Sequence, residues 1–178
     1  MPITTLDELS TPVQQIIVAA TGWQKINKAN PDAPPPKGEY GTYSIKPIRA
    51  YGQPRTYADD IPAMDPAPEF AWQDMRFYTI TSMDVMVSLN FFGPNANEAA
   101  MRMYNACFRP SISDKLRGNE IAWRYCSEAR DLTYVEQSTV ERRFQLDWFI
   151  YVEVEATDDI YKAASVSEMI ETEMVASQ

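Results

Sequence analysis

Carboxylates stand in pairs along this chain at Asp59 with Asp60, Glu153 with Glu155, and Asp158 with Asp159. Glu153 and Glu155 fall two apart in a strand-like segment, which puts them on one face about 6–7 Å from each other, a separation compatible with acid–base work. Alternating acids on a strand are more often a solvated face, and Asp158-Asp159 reads more simply as a turn or side-chain cap. Little stands ready to assist them. The chain has no histidine, which removes the commonest general base, the usual partner of a serine or cysteine nucleophile and the commonest zinc ligand. Its six glycines are scattered singly, forming neither a GxxxxGK[ST] loop nor a GxGxxG turn, so no phosphate cradle is expected. Cys107 and Cys126 lack metal-ligand spacing and read as two buried, reduced thiols. No catalytic residue, cofactor or metal site is expected, and function must be read from surfaces.

Charge and aromatic residues mark those surfaces. Of the formal net charge of −9, residues 128–178 carry −8, with 12 acids against 4 bases. That balance argues against gripping nucleic acid, which needs clustered Lys and Arg, but it leaves room for a surface that DNA passes without sticking. Arg142 and Arg143 beside Glu141 could pair across a sheet, join another subunit, or form a surface pair of little energetic consequence. Tyr40, Tyr43, Tyr51, Tyr57, Phe70, Trp72, Phe149 and Tyr151 are more numerous than loops and outer faces need, and burial in an oligomer would account for them.

The elements that must position these residues are legible in part. The segment from Glu141 to Ala156 alternates as a long half-buried strand, with Phe144, Leu146, Trp148, Ile150, Val152 and Val154 on one face. Arg143, Gln145, Asp147, Glu153 and Glu155 take the other face, interrupted by Phe149 and Tyr151. Upstream, Thr11, Pro12 and Gln14 suggest a capping box opening a helix, with Val13, Ile16, Ile17 and Ala20 buried, Gly22 as its stop, and Leu6 and Leu9 extending it by a turn. From Asn27 to Lys37 the run NKANPDAPPPK is expected to hold no regular hydrogen bonding. Tyr40 to Ile48 reads as a strand with Pro47 at an edge or a termination, followed by a long irregular loop from Tyr51 to Trp72. Asp74 to Phe92 carries strand signals, broken by a turn or bulge near Thr81 and Ser82, with Met83, Val85, Val87, Leu89 and Phe91 opposite Asp84, Ser88 and Asn90. Gly93-Pro94 stops it, and Asn95 with Glu98 opens a helix that buries Ala96, Ala99, Ala100, Met103, Tyr104 and Cys107. A short helical turn over 111–116 and a strand over 121–126 follow, while periodicity in residues 161–175 does not decide between strand and helix.

With 45% hydrophobic residues, 23% charged and a mean hydropathy of −0.37, the 178 residues suit one soluble domain spanning 1–178. Residues 1–38 would be its N-terminal helix and Pro-rich arm, and 161–178 its C-terminal tail. No apolar run reaches the roughly 18 residues of a membrane helix, and the N-terminus lacks a secretory layout, so no membrane association and a cytosolic origin are expected.

The Pro-rich arm and Tyr-rich strand, the passage VSLNFFGPNANEAAMRMYNA, and ERRFQLDWFIYVEVEATDD together resemble the neck or tail terminator family of tailed bacteriophages over roughly residues 40–160. The resemblance implies an α+β subunit, with a mainly antiparallel sheet, two or more helices on one face and long loops, assembling into a hexameric ring. Such a ring caps the tail tube, stops its polymerisation and offers a docking surface to the head-side connector, with DNA passing through the lumen without sequence-specific binding. It implies as partners further copies of this chain, the tail tube protein, the head–tail connector or stopper and, if the tail is contractile, the sheath. The place of action would be the virion neck, and the host cytoplasm during assembly. On that footing Arg142, Arg143, Phe149 and Tyr151 are expected at the subunit interface. Pro34, Pro35, Pro36, Tyr57, Phe70 and Trp72 are expected at axial ring contacts, and Glu153, Glu155, Asp158 and Asp159 facing the lumen.

Overall fold

A computed structural model describes residues 2–30, 34–62, 73–136 and 139–160. The chain is α+β, and among the described residues it has three α-helices and an open, mostly antiparallel six-stranded sheet. In chain order the elements are α1 (Ser10–Thr21), β1 (Ile26–Lys28), β2 (Tyr40–Pro62), β3 (Gln73–Phe92), α2 (Ala96–Tyr104), α3 (Pro110–Gly118), β4 (Ala122–Cys126), β5 (Arg130–Asp131), β6 (Tyr134–Glu136), β7 (Thr139–Glu141) and β8 (Arg143–Ile160). The strands run β1-β2-β3-β8-β4 across the sheet, with β5 also on β8, and β6 and β7 form a separate hairpin. β1 is parallel to β2, while β4 and β5 are antiparallel to β8.

Two compact units divide the chain: residues 1–54 with 80–155, and residues 55–79 with 156–178. The first holds every buried hydrophobic side chain among the described residues. Its core forms where the alternating residues Val85, Val87, Leu89 and Phe91 of β3 and Leu146, Trp148, Ile150 and Val152 of β8 meet the helices. The helices contribute Val13, Ile16, Ile17 and Ala20 from α1, Ala96, Ala99, Ala100 and Met103 from α2, and Ile112 and Leu116 from α3. Small alanines on α2 let the helix approach closely, and bulky β-branched and aromatic residues fill the sheet side. The second unit contains segments of β2, β3 and β8, where Tyr57 stacks on Tyr78 at 4.6 Å and Arg76 forks onto Asp159.

The helix start differs from expectation. The capping box sits at Thr5 and Glu8, ahead of a single 3-10 turn at Leu6–Leu9, and α1 begins at Ser10. Gln14, rather than closing a box, donates to the Ile26 carbonyl, because this binds the helix to β1. Gly22 does stop α1, at φ 81°, a left-handed conformation that an L side chain adopts only with strain. In the Pro-rich run Asn27 and Lys28 pair with Thr42 and Tyr43, contrary to an irregular arm, because β2 offers them an open edge.

Residues 51–62, expected in an irregular loop, continue β2. Pro47 does not end the strand: β1 covers only residues 41–43 of that edge, so beyond it a missing N–H leaves no described ladder partner unpaired. β3 runs unbroken through Thr81 and Ser82, with β2 and β8 as its neighbours in the sheet. Tyr40 and Tyr43 are buried rather than exposed, and the Tyr43 hydroxyl donates to the Ser10 carbonyl at 3.0 Å. Tyr104, expected in the core, is 44% exposed, since Met103 takes the inward position of that turn. Asn95 makes no side-chain cap; its N–H donates to Glu39, and Glu98 pairs with Arg102 one turn on. The residues 63–72 and 161–178, and with them Phe70, Trp72 and the 161–175 question, lie outside the described residues.

Candidate assembly surface

Within the first unit, the sheet face opposite the helices is not plainly polar; it carries a layer of arginine and aromatic side chains. At its centre Asp84 of β3, 1% exposed, accepts from Arg49 of β2 at 3.2 Å and from Arg124 of β4 at 2.8 Å, both through Oδ2. Its other oxygen is buried without a hydrogen-bond partner among the described residues. Sequence periodicity places Asp84 on this face but misses its burial, which follows from β3 lying inside the sheet with arginines arriving from neighbouring strands.

Arg124 reaches this face through a backbone irregularity. The β4–β8 register slips between Trp123 and Tyr125, which oppose Ile150 and Phe149. Such a bulge turns an extra residue out of the regular alternation. Trp123 meets the core residue Trp148 at 4.9 Å, while Tyr125 stacks on Phe149 at 4.4 Å and 14°. The Arg124 guanidinium lies 5.4 Å from the Tyr125 ring centre and 5.3 Å from that of Tyr151, within cation–π range. Tyr51 packs on Tyr151 at 5.3 Å. No pattern in the sequence announces the bulge, so Arg124 and Tyr125 escape a reading by period.

The layer continues along β8. Arg143 gives two hydrogen bonds to the side-chain oxygen of Asn90, at 2.9 and 3.1 Å, and sits 5.4 Å over the Phe92 ring. Phe92 in turn stacks on Tyr40 at 4.6 Å. Arg142 donates to the Pro94 carbonyl at 3.3 Å and, with Pro35, Pro36, Tyr40 and Phe92, lines an open cleft of about 470 Å³. Pro34 lines an adjoining cleft with Tyr40 and Phe92. The structure therefore gathers Arg142, Arg143, Pro35 and Pro36 at one end of this face and places Phe149 and Tyr151 around Arg124. Part of the partner that these aromatics require is supplied within the chain.

The acidic residues are more dispersed. Glu153 and Glu155 lie in β8 of the first unit, where their backbones bond to Ile3, the Ile3 N–H donating to the Glu153 carbonyl at 2.9 Å. A cavity touching Glu153 has about 10 Å³, room for a single water and not for a substrate. In the second unit Asp158 and Asp159, as successive strand residues, project to opposite faces. Asp159 accepts both Arg76 nitrogens at 2.6 and 2.8 Å, and these hydrogen bonds hold its carboxyl below the ordinary value. Tyr57 belongs to the second unit as well.

Cys107 and Cys126 are free thiols, half-buried, and burial first, then the neighbouring Cys107, pushes the Cys126 thiol up to about 12. Among the described residues no cluster of His, Cys, Asp and Glu could hold a metal ion, and no helix is long and apolar enough to cross a membrane.

Comparison with known proteins returns no match among curated proteins. A family described as phage neck terminator protein matches residues 7–173, which extends the resemblance of residues 40–160 over nearly the whole chain. Membership implies a structural place in the virion neck, among other tail and head proteins. The chain belongs to the phage neck terminator protein family.

Proposed function

We propose that this protein ends phage tail assembly: copies of the chain close into a hexameric ring that caps the tail tube, stops its polymerisation and presents a docking surface to the head-side connector. The DNA passes through the ring's lumen. The observation that carries this reading is the family match over residues 7–173. The arginine and aromatic face supports it, because such side chains are the ones enriched where subunits meet.

In this reading the subunit interface forms on that face, through Arg142, Arg143, Phe149 and Tyr151, joined by Arg124 and Tyr125. Asp84 holds Arg124 in place before a neighbour arrives, so less side-chain freedom is lost on association. Pro34, Pro35 and Pro36 with Tyr57, Phe70 and Trp72 make axial contacts with the tube and the connector. Glu153, Glu155, Asp158 and Asp159 line the lumen and repel the DNA backbone. Asp159 is charge-compensated by Arg76. The ring acts in the virion neck, after assembly in the host cytoplasm, and no step of its action requires catalysis or a cofactor.

Deletion of the gene from its phage, followed by negative-stain imaging of the lysate, tests the function. Overlong tails of irregular length beside separate filled heads are expected. Tails of regular length detached from heads would transfer the protein to a connector role, and intact particles would refute a part in the virion.

A further inference from the structure

The helical layer of the first unit carries a surface that neither its core nor the arginine-rich sheet face explains. Met101 and Tyr104 of α2 stand one turn apart and are 55% and 44% exposed. Phe108, one further turn along in the 3-10 segment after α2, is 81% exposed. Three large apolar side chains in one stripe, one of them a nearly bare phenylalanine, form the kind of patch that marks a contact site. A cleft of about 470 Å³ runs beside it, lined by Ala20, Met101, Arg102, Asn105 and Arg109, with Glu98 at its edge.

The rim is basic and fixed. Arg102 donates to the Thr21 carbonyl at 3.1 Å, and Arg109 to the Ala20 and Ala19 carbonyls at 2.7 and 3.3 Å. Both guanidiniums are thus held at the C-terminal end of α1, where a helix favours cations. From Glu98 to Gly118 the bases Arg102, Arg109, Lys115 and Arg117 face two acids, Asp114 and Glu98, the latter paired with Arg102 at 2.6 Å, which leaves Arg109 as the cleft's cation without a carboxylate among the lining residues. In a chain of net charge −9 this is a local reversal of sign.

One segment has the complementary chemistry. Residues 161–178 combine Val166, Met169, Ile170, Met174 and Val175 with Glu168, Glu171 and Glu173 against one base, Lys162. They follow directly on β8 and number 18, enough to span about 60 Å when extended. We infer that the C-terminal segment of a neighbouring copy docks on the Met101, Tyr104 and Phe108 stripe, its glutamates meeting Arg102 and Arg109. Patch and segment are different surfaces, so each copy offers one and receives the other. A head-to-tail contact of this kind propagates around a ring instead of closing a two-fold dimer. The inference rests on the ring reading and adds a second inter-copy contact to it, on the helical side of the subunit.

The test uses the full-length chain, supplied during infection to a phage lacking its own copy, with a photoreactive benzoylphenylalanine in place of Phe108. Particles are purified, irradiated and separated under denaturing conditions. The expected product runs at twice the 20.3 kDa of one chain, and its digest joins position 108 to a peptide from residues 161–178. Glu168→Gln, Glu171→Gln and Glu173→Gln together lower its yield about five- to tenfold, the sum of three screened ion pairs. Particles with regular tails that contain the chain but give no such product, or that join position 108 to another segment or within one chain, overturn the docking and leave the ring reading standing. Absence of the chain from the particles overturns both.

Discussion

Removing the carboxylate of Asp84 should loosen the arginine face while leaving the fold intact, and the size of the effect follows from how its two partners are exposed. Arg49 is 60% exposed, so its bond to Asp84 is worth at most about 1 kcal/mol, as for a surface pair. Arg124 is 30% exposed and sits between two rings, and a charge-assisted bond there contributes about 1.5–3 kcal/mol. Burial of the carboxylate, with Oδ1 unbonded, offsets part of the total. Asp84→Ala should therefore cost about 2 kcal/mol, lowering Tm by roughly 4–8 °C for a chain of this size. Urea unfolding followed by fluorescence of the four tryptophans would show a lower midpoint at unchanged slope. A double-mutant cycle should couple Asp84→Ala to Arg124→Ala by about 1–1.5 kcal/mol and to Arg49→Ala by less than half of that. A coupling to Arg124 below about 0.3 kcal/mol, or equal couplings to both arginines, would refute the claim that Asp84 chiefly anchors Arg124.

Gly93, at φ 116°, joins β3 to α2, and an added Cβ would come 2.8 Å from Glu39 Cγ and 3.2 Å from its Cα. Gly93→Ala should cost at least about 2 kcal/mol, against about 1 kcal/mol for Gly22→Ala, whose Cβ meets only the end of Arg102 at 3.5 Å; equal midpoints in urea would contradict this ranking. The Asp159 carboxyl is depressed in the folded chain, so its contribution is present above its unfolded value near pH 4 and disappears as pH falls through the folded value. Amide exchange in residues 55–62 and 73–79 should accordingly speed up below about pH 4, beyond the intrinsic rate, and a profile that Asp159→Asn leaves unaltered would exclude the Arg76 pair as its cause. With its thiol pushed up to about 12, Cys126 should react with iodoacetamide at pH 8 about 100-fold more slowly in the native chain than in urea; equal rates would show the site to be open.

Much of the architecture is determined by local pattern. Alternation over residues 144–154 and 83–91 identifies the strand faces that build the core, because a pleated strand sends successive side chains to opposite sides whatever its neighbours are. The spacing of Val13, Ile16, Ile17 and Ala20, and of Ala96, Ala99, Ala100 and Met103, likewise defines the buried helix stripes, and Gly22 marks a helix end for a purely backbone reason. The lengths of β2 and β3 were not available from the same kind of reading. Pro47 and the Thr81-Ser82 step look like breaks until the strand order supplies an open edge to one and neighbours on both sides to the other.

Composition alone determined that the chain lacks histidine and a glycine-rich phosphate loop, and that it concentrates acid in its C-terminal third. Its motifs, FFGPNANEAA and the strand from Glu141, carried the family resemblance, since they are contiguous in the chain. The arginine and aromatic face was decided by tertiary structure. Arg49, Asp84 and Arg124 come from three strands, and a one-residue bulge brings Arg124 beside Tyr125 and Tyr151. Sequence periodicity reports the two sides of one strand; which residues of different strands meet, and whether a charge between them is buried, depends on register, and register exists only once the sheet has formed.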